Sequence, residues 1–162
     1  MKILIVSDNH GQSKELYTVL KKTRPFDYLI HLGDTEGTDR MIRREAKTPV
    51  TIVRGNNDFF SDAEKEAVLT FGNCRIFAVH GHTYGVSMGT GRLMEEAKKR
   101  GCNVAMFGHT HRPCLDQSDP EITLINPGSL SYPRQEGRRP SYIVMSIDRY
   151  GEAHYTLNYL ER

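Results

Sequence analysis

Five times within residues 2–111, a short apolar run stops abruptly in a knot of polar side chains. Residues 2–7 lead into Asp8-Asn9-His10, and 27–32 into Gly33-Asp34. Residues 49–54 lead into Gly55-Asn56-Asn57-Asp58, 73–80 into His80-Gly81-His82, and 103–107 into Gly108-His109-Thr110-His111. Short apolar runs bounded by turn formers read as buried strands. In open α/β sheets, ligands bind beyond the carboxyl ends of the strands. The pattern therefore predicts five strand ends delivering their side chains to one crevice.

Between these runs the apolar spacing becomes helical. Residues 13–22 place Leu16, Val19 and Leu20 on one face, with Ser13 as N-cap and Pro25 as the stop. Residues 38–46 turn Met41, Ile42 and Ala46 inward, and 90–100 form a third helix that Gly101 ends. The last third changes character, with strand-like runs at 122–125, 142–147 and 154–159 between Pro- and Gly-rich turns. Alternation of Tyr142, Val144, Ser146 and Asp148 with Ile143, Met145 and Ile147 predicts antiparallel pairing with one wet face. The expectation is an α/β fold of layered sheets covered by helices, in a single domain spanning residues 1–162.

The polar knots offer a particular set of donors. Asp8, His10, Asp34, Asn56, His80, His109 and His111 supply imidazole nitrogens and amide or carboxylate oxygens, without a thiolate. Such mixed sites suit manganese, iron, zinc or nickel better than a Cys-type structural zinc. Seven donors exceed what one tetrahedral ion takes and suit two, with the Asp34 carboxylate able to bridge them. Each piece is weak alone. A solitary histidine after a strand is more often structural, and glycines there are ordinary turn formers. Their joint recurrence in one strand-to-loop context carries the metal reading.

The order D-x-H, G-D, G-N-x-D, H-G-H, G-H-T-H resembles the calcineurin-like metallophosphoesterase superfamily. Within it, the chain is similar to the small YfcE-type phosphodiesterases, which are also related to a retromer scaffold subunit; Ile125-Asn126-Pro127-Gly128-Ser129 is typical of that subfamily. The resemblance implies a two-sheet β-sandwich flanked by helices, with the metals at strand ends. It implies one ion on Asp8, His10, Asp34 and His111, and a second on Asp34, Asn56, His80 and His109, bridged by Asp34. Two divalent ions are expected, manganese first, with nickel, iron or zinc as alternatives. The expected reaction is hydrolysis of a small phosphodiester by solvent that bridges and is acidified by the two cations. The rival reading is a protein–protein scaffold on the same fold. Retention of all seven donors favours the enzyme.

Asp34, Asn57 and His82 are the candidate catalytic residues. The wider family has a His where this chain has Asn57. Asn donates a hydrogen bond but cannot release a proton, so esters with poor leaving groups are expected to react slowly. Asp58 then has no His to orient and is read as a supporting group. His82 is expected to support the ligands or touch substrate. Asn126, Gly128 and Ser129 are candidates to line the pocket, and Arg134, Arg138, Arg139 and 98–100 to draw in an anion, although such basic residues are commonly plain surface. His31 and His154 are expected to lie outside the centre.

Composition excludes other classes. With 22 Lys plus Arg against 20 Asp plus Glu, the net charge of +2 gives no broad basic field, so nucleic-acid binding is disfavoured. No apolar run approaches the ~20 residues of a membrane span, and the N-terminus reads as a strand rather than a signal peptide. Three isolated cysteines, Cys74, Cys102 and Cys114, fit neither a disulfide framework nor a C-x-x-C site, which points to the cytoplasm. Assembly of identical copies is left open.

Overall fold

The first apolar run becomes β1 (Lys2–Val6), and each of its faces is covered. Ile3 and Ile5 point into one core while Leu4 and Val6 point into another. Strands buried on both faces read as continuous apolar runs, because neither side meets water. The computed structural model, which describes residues 1–161, shows why both faces are dry.

Two five-stranded sheets face each other, with helices on their outer sides. The first has the order β10-β9-β1-β2-β3 and contains β2 (Tyr28–His31), β3 (Val50–Ile52), β9 (Ser141–Ile147) and β10 (Ala153–Tyr159). The second has the order β4-β5-β6-β8-β7, from β4 (Glu66–Phe71), β5 (Cys74–Val79), β6 (Val104–Met106), β7 (Pro113–Asp116) and β8 (Thr123–Pro127). Strands β1, β2 and β3 run parallel, as do β5, β6 and β8. This is the expected β-sandwich flanked by helices.

The sheets meet over Ile3, Ile5 and Ile30 on one side and Ile76, Val104 and Met106 on the other. Outside the first sheet lie α1 (Lys14–Thr23) and α2 (Asp39–Ala46), which bury Leu16, Val19, Leu20 and Ile42. Outside the second lies α3 (Gly91–Lys99), which buries Leu93 and Ala97 against Phe77 and Ala105. Each fully buried Leu contributes about 1.5–3 kcal/mol of hydrophobic stabilisation. Gly101, at φ 69°, ends α3 as expected. Ser13 stands at the N-cap of α1, yet its side chain makes no capping hydrogen bond.

Two strands escaped the sequence pattern. In β4, Ala67, Leu69 and Phe71 alternate inward, but the strand lies at a sheet edge and Glu66 and Thr70 interrupt its apolar run. β7 is four residues long and begins at Pro113, tolerable only because it too is an edge. The expected wet face of β9 is also mostly absent. β9 lies between β1 and β10, Tyr142 is buried and Val144 packs on the helix-side core, leaving Ser146 and, just past the strand, Asp148 exposed. β8 pairs parallel with β6 and antiparallel only with β7. Among the described residues, no helix is long and apolar enough to cross a membrane.

Candidate metal centre

All five polar knots follow parallel strands: β1, β2 and β3 in one sheet, β5 and β6 in the other. The ladder between β1 and β2 continues past the strands, where Asp8 N–H donates to Gly33 O (3.0 Å) and His10 N–H to Asp34 O (2.9 Å). The sheets are joined there as well, since His109 N–H donates to Asp8 Oδ2 at 3.1 Å.

Five of the seven expected donors, Asp8, His10, Asp34, His109 and His111, have left-handed backbone, with φ between 45° and 65°. Each such residue costs of order 1–3 kcal/mol and persists only where its surroundings enforce it. Here the enforcement is a set of buried struts. The Asp58 carboxylate accepts N–H bonds from Asp34 (2.8 Å), Gly55 (2.7 Å) and Glu36 (2.8 Å). Asn126 donates to Gly108 O (2.9 Å) and Thr110 Oγ1 (3.0 Å). Ser129 donates to Asp8 O at 2.8 Å. Asn126 and Ser129, expected at the pocket wall, are instead fully buried behind the ligand loops.

The donors converge in two overlapping groups. In the first, Asp8 Oδ1 lies 3.1 Å from His111 Nε2 and 3.7 Å from His10 Nε2, and the two imidazole nitrogens are 3.1 Å apart. In the second, Asn56 Oδ1 lies 2.9 Å from His80 Nε2 and 3.0 Å from His109 Nδ1. Asp34 Oδ2 stands between them, 3.8 Å from His10 Nε2 and 3.5 Å from His80 Nε2.

Tautomers show that this convergence suits a cation. His10 Nδ1 faces Glu36 Oε1 (2.6 Å), His80 Nδ1 faces Leu32 O (2.7 Å) and His111 Nδ1 faces Tyr132 O (2.8 Å). Those oxygens only accept, so each Nδ1 carries the proton and, in the neutral ring, Nε2 presents a bare lone pair to the centre. Asp8 Oδ1 is buried there without a hydrogen bond. Lone pairs aimed at one another repel unless something positive lies between them. Donors bound at right angles, about 2.1 Å from one ion, lie about 3 Å apart, which matches the observed spacings. The residues present fit divalent metal.

Electrostatics agree. Burial opposes ionisation of Asp34, but His80 and the Asn57 N–H groups hold its carboxyl down to about 2. Burial likewise opposes charge on His10, yet Asp8 and Glu36 outweigh it and raise its pKa to about 9, so without an ion a proton on Nε2 supplies the positive charge that the carboxylates attract. Burial and then His80 lower the pKa of both His82 and His109.

The structure places the remaining candidates more narrowly. Asn57 directs both its backbone N–H (2.9 Å) and its side-chain amide (2.7 Å) at Asp34. His82 opens a single 3-10 turn, its ring 5.4 Å from His80 and 6.1 Å from His109, and its buried Nδ1 lacks a partner. His31 is buried and donates to Asn9 Oδ1, while His154 is exposed on β10 beside Asp148. Lys98, Lys99 and Arg100 pair with acidic residues around α3, and Arg139 covers Tyr159. Arg134 and Arg138 do border the centre, with Arg112 beside them. Sequence reasoning missed Glu36, Tyr132 and Arg112. The signal for Glu36 was an acid two residues beyond Asp34.

Comparison with known proteins agrees with the geometry. The calcineurin-like phosphoesterase superfamily domain matches residues 1–150. The probable metallophosphoesterase YsnB of Bacillus subtilis is 35% identical over 149 residues, covering 91% of this chain and 85% of that protein. A Streptococcus pneumoniae structure described as a predicted phosphoesterase superposes with a TM-score of 0.81 at 27% identity, covering 98% of this chain and 88% of that one. Zinc-complexed Vps29 of Entamoeba histolytica shares the fold, with a TM-score of 0.74 at 18% identity over 98% of this chain and 99% of that one. With the match running through every ligand loop, the chain belongs to the calcineurin-like phosphoesterase superfamily, a family of metal-dependent phosphoesterases.

Proposed function

We propose that the protein hydrolyses phosphodiesters at a centre of two divalent ions, manganese being the preferred metal. Asp8, His10, His111 and Asp34 would hold one ion; Asp34, Asn56, His80 and His109 would hold the other. The observation that carries this reading is the convergence of the Nε2 atoms of His10, His80 and His111, whose Nδ1 protons are already taken by oxygens, on Asp8, Asn56 and Asp34. Bound there, the ions would polarise the phosphoryl oxygen and acidify coordinated water.

The chain's own residues set the geometry for that chemistry. Asn57 fixes the rotamer of Asp34, and Asp58 fixes its backbone, so the shared carboxylate cannot swing away. Glu36 keeps the His10 proton on Nδ1. His82, whose pKa burial and then His80 lower, would donate a hydrogen bond to substrate oxygen. The intact donor set favours catalysis over a purely scaffolding role, which would not require it. Three free thiols suit a cytoplasmic setting.

The test is elemental analysis of purified protein, combined with hydrolysis of bis(p-nitrophenyl) phosphate before and after chelation. Two equivalents of metal and a chelation-sensitive rate are expected. Protein that binds no divalent ion and hydrolyses no diester when manganese is supplied would overturn the reading.

A further inference from the structure

Beside the first ligand group lies an open cleft of about 850 Å³, bordered by His10, His111, Arg112, Arg134 and Arg138. Such a volume suits a ligand group of nucleotide size. The cleft is tied directly to the metal centre, because Arg134 N–H donates to His111 O at 2.9 Å and Tyr132 O accepts from His111 Nδ1 at 2.8 Å. The Tyr132 ring stacks on His111, with 6.5 Å between centroids, and meets His10 edge-on at 5.2 Å. Its hydroxyl is held by Gln12 at 2.8 Å. The turn that carries Arg138 is closed by Arg138 N–H donating to Gln135 O at 3.0 Å. The wall is thus built on the same loops that place the ligands.

Two of this wall's charges, those of Arg112 and Arg134, are left without an acidic partner in the fold: among the described residues, neither guanidinium has a carboxylate within ion-pair distance, whereas Arg100 and Lys98 near α3 each have two. Planar guanidinium forks match phosphate oxygens and bind them by charge-assisted hydrogen bonds. Two such guanidinium groups, Arg112 and Arg134, suit a phosphomonoester, which carries about −1.5 to −2 at neutral pH, better than a single carboxylate.

We propose that this arginine cleft is a specificity subsite for a second phosphate, so that the preferred substrate is a diester bearing a further phosphomonoester. This rests on the diesterase reading above. The second phosphate is not transformed; it positions the substrate and lowers KM.

Two probes isolate the effect: thymidine 5′-(p-nitrophenyl phosphate) and the same compound phosphorylated at O3′. Both release nitrophenolate, so leaving-group chemistry cancels. With manganese supplied, the added phosphate is expected to raise kcat/KM about tenfold or more, through KM, and the advantage should shrink as salt is raised. In the double variant Arg112→Gln/Arg134→Gln the ratio of the two kcat/KM values should fall toward one, and Arg134→Lys should recover part of it. Arg149→Gln, at a remote turn, should keep the wild-type ratio. Both arginines are exposed, and melting curves would verify that the variants fold. A wild-type ratio near one, or a ratio unchanged in the double variant, overturns the subsite while leaving the diesterase reading intact. Hydrolysis of neither probe counts against the diesterase reading instead. Calorimetry with thymidine 3′-phosphate and chelated protein then decides the subsite: binding weakened about tenfold in the double variant supports it, and equal binding overturns it.

Discussion

The backbone N–H of Asp34 donates to the Asp58 carboxylate at 2.8 Å, and the oxygen that accepts it also accepts the N–H of Gly55. Asp58 therefore ties the loop after β2 to the loop after β3, behind the carboxylate shared by both ligand groups. Asp58→Ala leaves the amides of Asp34, Glu36 and Gly55 without their acceptor. Loss of about 3 kcal/mol of stability is expected, with metal affinity weakened about 10–100-fold. Denaturant unfolding of chelated protein and a competitive metal titration measure the two separately.

Asp34→Asn exchanges the carboxylate proposed to bridge two ions for a weakly ligating amide. Elemental analysis should show at least one equivalent of metal lost, and nearly all turnover should disappear. His154→Ala, at an exposed site on β10, should change neither. A thermal melt adds a second readout: a ligand at a hundredfold excess over Kd stabilises the native state by about 2.7 kcal/mol, so the manganese-induced rise should be smaller in Asp34→Asn.

A β-carbon on Gly55 would stand 2.1 Å from Asp34 Oδ1, and one on Gly108 would stand 2.2 Å from Ser7 Oγ and 2.8 Å from Asp8 Oδ2. Gly55→Ala should therefore displace Asp34 and lower metal occupancy, as measured by elemental analysis. Gly91→Ala is the contrast. Nothing lies within 4 Å of that position, at the start of α3, so stability should hold or rise by up to about 1 kcal/mol.

His31 is locked as a neutral ring: Nε2 donates to Asn9 Oδ1 at 3.0 Å, and Nδ1 accepts from Gly33 N–H at 3.2 Å. Burial lowers its pKa from 6.5 to about 4. Between those values the unfolded chain binds the proton and the native state does not, so stability is full above pH 6.5 and is lost as pH falls toward 4. Chelated wild type should lose about 3 kcal/mol relative to His31→Gln between pH 7 and pH 4. Urea unfolding across that window measures the difference, and an NMR titration should find the His31 ring unprotonated to about pH 4.

Asn57 is committed to Asp34 and has no proton to release. The rate should therefore fall steeply as leaving-group pKa rises across aryl and alkyl diesters. A positioned acid typically contributes ~10²–10⁴-fold, and alkyl esters should forgo that factor. A plot of kcat/KM against leaving-group pKa reads it directly, and a flat series would identify His82 or another group as a working acid.

The centre was legible because its donors recur after apolar runs, and such runs become the parallel strands of the two sheets. What the pattern did not carry is how the donors are aimed. Left-handed φ at His10 or His111 leaves no periodicity behind, and Asn126 in a Pro-Gly turn looks the same whether it faces a pocket or braces a loop. Glu36 and Tyr132 act through one hydrogen bond each, too local for spacing to show. β4 and β7 escaped because edge strands need only one covered face and tolerate charges or Pro113. Arg112 meets Arg134 and Arg138 only through folding, being separated from them in the chain by β7 and β8.

Each ligand group draws on both sheets. Asp8, His10, Asp34 and Asn56 descend from β1, β2 and β3, and His80, His109 and His111 from β5 and β6. An ion held in either group would thus rivet the two leaves of the sandwich together at one rim, while the opposite rim is held by side-chain packing and by the hydrogen bonds of Asn73 to Tyr150, Gly151 and Glu152. Chelation should loosen the molecule like a book opened from one edge. Amides bordering the rim, such as those of His80 and Gly108, should then exchange with solvent faster, while those in the middle of β1 and β5 stay protected.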